Sequence, residues 1–121
     1  MEYKVEKPWG HEIRWAVNEK YLGKILHINK GHRLSRQYHE VKDETIYVLE
    51  GKLVLEFGPH FSALDTIDGT IRTVLHTGES HRVTPGMVHR FCAESTDVVL
   101  IEVSTPEIDD VVRLEDDYSR E

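Results

Sequence analysis

Apolar and polar residues alternate along most of this chain with a period of two, the mark of half-buried β-strands, and helical periodicity is nearly absent. Strand-like runs fall at Glu12–Val17, Lys24–Asn29, Leu34–His39, Thr45–Leu49, Lys52–Phe57, Thr70–His76, His81–Thr84, His89–Ala93 and Val98–Ser104. Turn formers separate them at Asn18-Glu19, Lys30-Gly31, Glu50-Gly51, Asp68-Gly69, Gly78-Glu79 and Pro85-Gly86. Many short strands at close spacing predict an all-β sandwich or barrel. Gly58–Gly69 is the longest stretch without alternation and reads as an elongated hairpin tip or a plain loop. Pro106–Asp110 fits one helical turn, since proline suits a first helical position, or a surface loop.

Length adds a bound: 121 residues support one domain, 1–121, and are too few for two. Neither a bilayer-spanning apolar run of about 20 residues nor a secretory leader is visible, so no membrane role is expected. One cysteine, Cys92, cannot form an internal disulfide and suits a reducing, cytoplasmic setting. The net charge of −7 is uneven, for residues 107–121 carry seven acids against two bases. That end reads as a solvated edge or a packing segment rather than a site. An acidic chain without a basic stripe is not expected to bind nucleic acid.

Chemistry concentrates between Gly31 and Gly51. Gln37 and His39, two apart on a strand, project to one side. Glu44 opens the next strand after a short loop and shares a face with Ile46 and Val48. The two glycines sit where the chain must turn sharply. His89 follows Pro85-Gly86 on a separate strand. Gln37, His39, Glu44 and His89 together form a candidate metal set of two imidazoles, a carboxylate and an amide oxygen. With no thiolate, it suits a divalent ion: zinc first, or iron, manganese, nickel or cobalt. His11, His32, His60, His76 and His81 lack a partner at ligand spacing and read as surface or supporting residues. His27 alternates with inward Leu26 and Ile28 and should face outward.

Gly31, Gln37, His39, Glu44 and Gly51 fall on the pattern Gly-x5-His-x-His-x3–4-Glu-x6-Gly, and the chain resembles the cupin superfamily. Gln stands at 37 where most cupins carry the first His, as in the phosphomannose isomerases. Pro8-Trp9-Gly10, Gly31–His39, Gly86–Arg90 and Asp109–Arg120 extend the resemblance to the isomerase domain of type II mannose-6-phosphate isomerase/mannose-1-phosphate guanylyltransferase. The resemblance covers nearly the whole chain and implies a small cupin barrel. It departs at Thr45-Ile46, where His-Trp is usual, at Lys42, where Arg is usual, and at Gly58–Gly69, which looks like an insertion. Without a nucleotidyltransferase domain, guanylyl transfer is not expected.

The activity implied is metal-dependent aldose–ketose isomerisation of a sugar phosphate through a cis-enediol. Lys24 and Glu102 share strand faces with inward apolar residues and are the candidate catalytic pair, though a buried Lys–Glu ion pair explains them equally. Lys42, between two ligands, is the candidate phosphate-binding cation at the cavity rim. Arg36 and Arg90 each neighbour a ligand, should face the opposite side, and read as surface or interface. Tyr3, Trp9, Trp15 and Tyr21 could serve a homodimer interface or the core. A sugar epimerase, an Fe(II) dioxygenase and a non-enzymatic carbohydrate-binding module remain open alternatives.

Overall fold

The computed structural model of the protein describes residues 3–60 and 71–118. They form twelve strands and no helix: β1 (Tyr3–Lys7), β2 (Gly10–Val17), β3 (Leu22–Ile28), β4 (His32–Arg33), β5 (Arg36–Tyr38), β6 (Glu44–Glu50), β7 (Lys52–His60), β8 (Ile71–His76), β9 (Ser80–Val83), β10 (Met87–Ala93), β11 (Val98–Ser104) and β12 (Val112–Glu115). Two antiparallel sheets result. One runs β1-β2-β3-β11-β6-β9; the other runs β12-β5-β10-β7-β8, with β4 paired to β10. No helix of the described residues is long and apolar enough to cross a membrane.

The period-two pattern explains the core. Leu26, Ile28, Ile46, Val48, Val98 and Leu100 of the first sheet meet Leu53, Leu55, Leu75, Phe91 and Ala93 of the second in one buried cluster. Register aligns the inward rows: Lys24 pairs with Glu102, Leu26 with Leu100, and Ile28 with Val98. A one-residue slip would turn each row outward, so burial of one face fixes the pairing.

Several sequence expectations need correction. The run at Leu34–His39 divides, because buried Leu34 and Ser35 interrupt it between β4 and β5. Strands β1 and β12 were not anticipated; their patterns are dominated by charged residues. No helical turn forms at Pro106–Asp110. Instead, Asp110 N donates to Glu107 O at 3.3 Å and closes a tight turn. β7 continues through His60, while 61–70, most of the expected hairpin tip, and the His60 side chain lie outside the described residues. Trp9 is a core residue at 2% exposure, whereas Tyr3, Trp15 and Tyr21 are exposed.

Arg36 and Arg90 are buried rather than superficial, because the C-terminal strand covers their face. Arg90 Nε donates to Leu34 O at 2.9 Å and Nη2 to Glu115 O at 3.1 Å. Arg36 pairs with Glu115 at 3.6 Å. The acidic end is thus a packing segment.

Gly51 sits at φ +88°, and a Cβ there would lie 2.1 Å from Asp97 O. Gly51→Ala meets both backbone strain and a backbone clash. We expect it to lower stability by more than about 1 kcal/mol in urea unfolding; an unchanged midpoint would contradict the tight turn.

Candidate metal centre

Three sequence-distant side chains converge at one end of the barrel. His39 follows β5, Glu44 opens β6 and His89 lies on β10, with one donor atom from each within 4.8 Å of the others. All three are buried. His39 Nε2 stands 2.6 Å from Glu44 Oε1, and His89 Nε2 stands 4.0 Å from it. The His39 approach is close, yet it lacks hydrogen-bond alignment. Both Nε2 atoms and Glu44 Oε2 are left without a hydrogen-bond partner among the described residues.

The opposite ring nitrogens explain this orientation. His39 Nδ1 lies 2.5 Å from Asp110 O, and His89 Nδ1 lies 3.0 Å from Met87 O. A carbonyl only accepts, so each Nδ1 carries a proton, and each Nε2 is the ring atom that faces Glu44. That is the orientation a metal requires. Burial lowers His89 to about 4, so the ring stays neutral. For Glu44 burial works upward, but His39, Lys42 and His89 hold the carboxyl well below its usual range. Two imidazoles and an ionised carboxylate, with orphaned donor atoms facing one point, fit a divalent cation.

Gln37 lines the same cavity and pairs in register with His89. Its Oε1 accepts a hydrogen bond from Ser35 Oγ at 2.6 Å, so it stands beside the triad with its oxygen engaged. Asp110 escaped the sequence reading, which assigned the acidic end no part in a site. Its carboxylate accepts backbone N–H groups of Glu40, Val41 and Lys42 at 3.0, 2.8 and 2.9 Å, clamping the loop between His39 and Glu44. The signal available was an aspartate beside a turn, which is too common to single out.

The cavity, about 280 Å³, extends away from the triad along the first sheet. Lys42 is buried in its wall, not placed at its rim. Its Nζ donates to Glu102 Oε2 at 3.0 Å and lies 4.0 Å from Glu44 Oε1. Burial, reinforced by Glu44, pushes Glu102 up against the pull of Lys42 and Lys24. Lys24 is buried too, but its ion pair is with Glu12, Nζ to Oε2 at 3.4 Å. Arg14 Nε donates to the same oxygen at 2.7 Å. Glu12 and Arg14, also missed, belong to a strand whose facing alternation alone leaves open.

A buried, metal-compatible His–Glu–His group in an antiparallel double sheet is the arrangement of the cupin fold. The chain belongs to the cupin domain family, which it matches over residues 24–104. It is 33% identical to the mannose-1-phosphate guanylyltransferase ManC of Salmonella typhimurium over 99% of its own length and 24% of that protein's. The chain therefore spans about a quarter of that relative. Among solved structures it is similar to the capsular polysaccharide assembling protein CapF of Staphylococcus aureus: TM-score 0.76, 18% identity, 95% of this chain and 34% of that one. KdgF from Halomonas sp. matches at TM-score 0.71 and 17% identity, over 90% of this chain and 88% of its own. At these identities the structures support the fold alone.

Two outcomes test the centre. Folded His89 stays neutral to about pH 4, whereas an unfolded histidine takes up a proton near 6.5. The unfolded state binds more protons between those values, so stability falls as pH drops through that window. Urea unfolding of metal-free protein should lose about 2 kcal/mol from this residue between about pH 7 and pH 4.5. Glu44, with an ordinary value of 4.5, adds its loss only below that range. Replacing His89 by Gln should flatten the slope; an unchanged slope would exclude a buried neutral ring. Asp110→Ala should weaken zinc binding about 10–100-fold in competition with a chelating dye. Wild-type affinity would rule out the clamp.

Proposed function

We propose that this chain is the catalytic barrel of a metal-dependent aldose–ketose isomerase acting on a sugar phosphate, with mannose 6-phosphate as the leading substrate. The observation that carries the reading is the pair of imidazoles whose Nε2 atoms turn to a buried Glu44 at the end of a charged cavity. The relation to ManC and the resemblance to type II isomerase domains support the substrate class.

His39, Glu44 and His89 would hold the divalent ion, with the Gln37 amide oxygen as fourth donor. Such an ion would supply Lewis acidity toward the sugar's carbonyl end, worth several kcal/mol. Hydrogen transfer between those carbons needs one group that takes a proton from C2 and returns it to C1, leaving a cis-enediol between the steps. Glu102 suits that role: it is buried in the cavity wall, and Lys42 Nζ donates to its Oε2. Lys42, between Glu44 and Glu102, steadies negative charge developing on the enediol. This assigns Lys42 to the reacting end rather than to the phosphate.

Conversion of mannose 6-phosphate to fructose 6-phosphate tests the reading directly. Chelation should abolish it and added zinc, manganese or cobalt should restore it. His39→Ala should leave no measurable turnover, Gln37→Ala should reduce it, and Glu102→Gln should cost about a hundredfold or more in kcat. Equal rates in wild type and the His39 and Gln37 variants would reject the metal mechanism. No turnover with any divalent ion would reject the isomerase.

A further inference from the structure

We infer that Lys24 and Arg14 form an anion subsite in the cavity, which takes the terminal phosphate of a six-carbon sugar whose carbonyl end lies at the metal centre. The inference deepens the isomerase reading and rests on it for the identity of the carbonyl end.

Of the cations lining the cavity, the one beside Glu44 is committed elsewhere. Lys42 is bound to Glu102 and stands beside Glu44, so it belongs to the reacting end. Farther along the same wall, Arg14 and Lys24 pair in register on β2 and β3, and Lys24 pairs in turn with Glu102 on β11. Both cations line the cavity. Their side chains are 19% and 9% exposed, too enclosed for ordinary solvated charges.

One carboxylate faces both. Arg14 Nε and Lys24 Nζ lie 2.7 and 3.4 Å from one Glu12 oxygen and Lys7 Nζ lies 3.9 Å from the other, so three positive charges meet this carboxylate, with Glu102, shared with Lys42, the next acid across from Lys24. The tier therefore keeps a positive excess. Its donors are also underused. Among the described residues Lys24 Nζ has that ion pair and no hydrogen bond, although an ammonium has three protons to give. Arg14 uses Nε toward Glu12 and Nη1 toward Tyr3 Oη at 3.2 Å, which leaves Nη2 without a hydrogen bond among the described residues. Largely enclosed cationic donors with spare protons, lining one cavity, suit a multiply charged oxyanion.

Spacing sets the ligand's length. Glu44 stands on β6 and Lys24 on β3, with β11 between them. Two strand spacings, with Glu44 offset by two residues from the level of Lys24, amount to about 12 Å between backbone positions. A lone phosphate cannot reach both ends of that span, while an extended hexose phosphate can.

Calorimetric titration of the zinc-loaded protein with mannose 6-phosphate and with mannose tests this. The phosphorylated sugar should bind at least about tenfold tighter. Lys24→Gln and Arg14→Gln should each weaken mannose 6-phosphate binding by about tenfold or more, leaving zinc stoichiometry and mannose binding unchanged. Because Lys24→Gln removes one of Glu12's partners, the double variant Glu12→Gln/Lys24→Gln keeps the charges matched and should show the same loss. Equal affinity for the two sugars in wild type, or wild-type affinity for mannose 6-phosphate in these variants, overturns the subsite. Phosphate-dependent binding that needs both cations without any isomerisation would keep the subsite and remove the isomerase. Isomerisation with unaffected binding in the variants would do the reverse.

Discussion

A carboxylate buried between two imidazoles is the constraint around which this barrel is organised. Glu44 is 2% exposed, and burying an isolated negative charge is prohibitive unless something compensates it. Imidazole lone pairs cannot compensate a carboxylate; they compete with it for any proton or cation. Among the described residues Lys42, at 4.0 Å, is the lysine or arginine charge set against Glu44. A divalent cation resolves the conflict, because all three groups then face one common partner.

Keeping those lone pairs in place falls to backbone far from the ligands. His39 is aimed by the carbonyl of Asp110, and the same residue's carboxylate holds the loop that leads to Glu44. Gly86 N donates to His39 O at 2.6 Å, so the turn preceding the His89 strand also ties down the His39 backbone. Three segments lock one another: the ligand loop, the turn before β10, and the C-terminal crossing. The crossing continues into β12, where Arg36 and Arg90 find their partners. The packing that buries those arginines thereby helps set the geometry of the donors on the other face.

The all-β class, most strand positions, the glycine turns and all three members of the triad were legible in the sequence, because each is written in local spacing. Glu44 at the start of a strand and His89 after Pro-Gly are examples. Relations that depend on which distant strand lies alongside were not legible. Lys24 and Glu102 were rightly turned inward, yet they pair with Glu12 and Lys42 rather than with each other. Lys42 was sought at a rim, since a loop lysine ordinarily reaches for water; here Glu102 and Glu44 draw it into the wall. Trp9 looked available for an interface only because nothing in its own neighbourhood showed the core beneath it.

Direction is the relation that alternation alone leaves open. Along β2 the charged Glu12 and Arg14 line the cavity, while Trp15 and Val17 are exposed. The inner face is graded along the neighbouring strands. Reading down the inner face, β3 passes from Lys24 to Leu26 and Ile28, β11 from Glu102 to Leu100 and Val98, and β6 from Glu44 to Ile46 and Val48. On the facing sheet, β10 passes from His89 to Phe91 and Ala93. On the first sheet Lys24 and Glu102 pair in register and Glu44, opposite Ser104, lies one inward position farther out, so the polar residues fall at the same end. The barrel thus has a dry half that supplies stability and a charged half that supplies chemistry. A test for amphipathic strands scores the first and misreads the second. The boundary between them, where Leu26 and Phe91 still line the cavity, is where a sugar's apolar faces would meet the wall while its charged end looks toward Arg14 and Lys24.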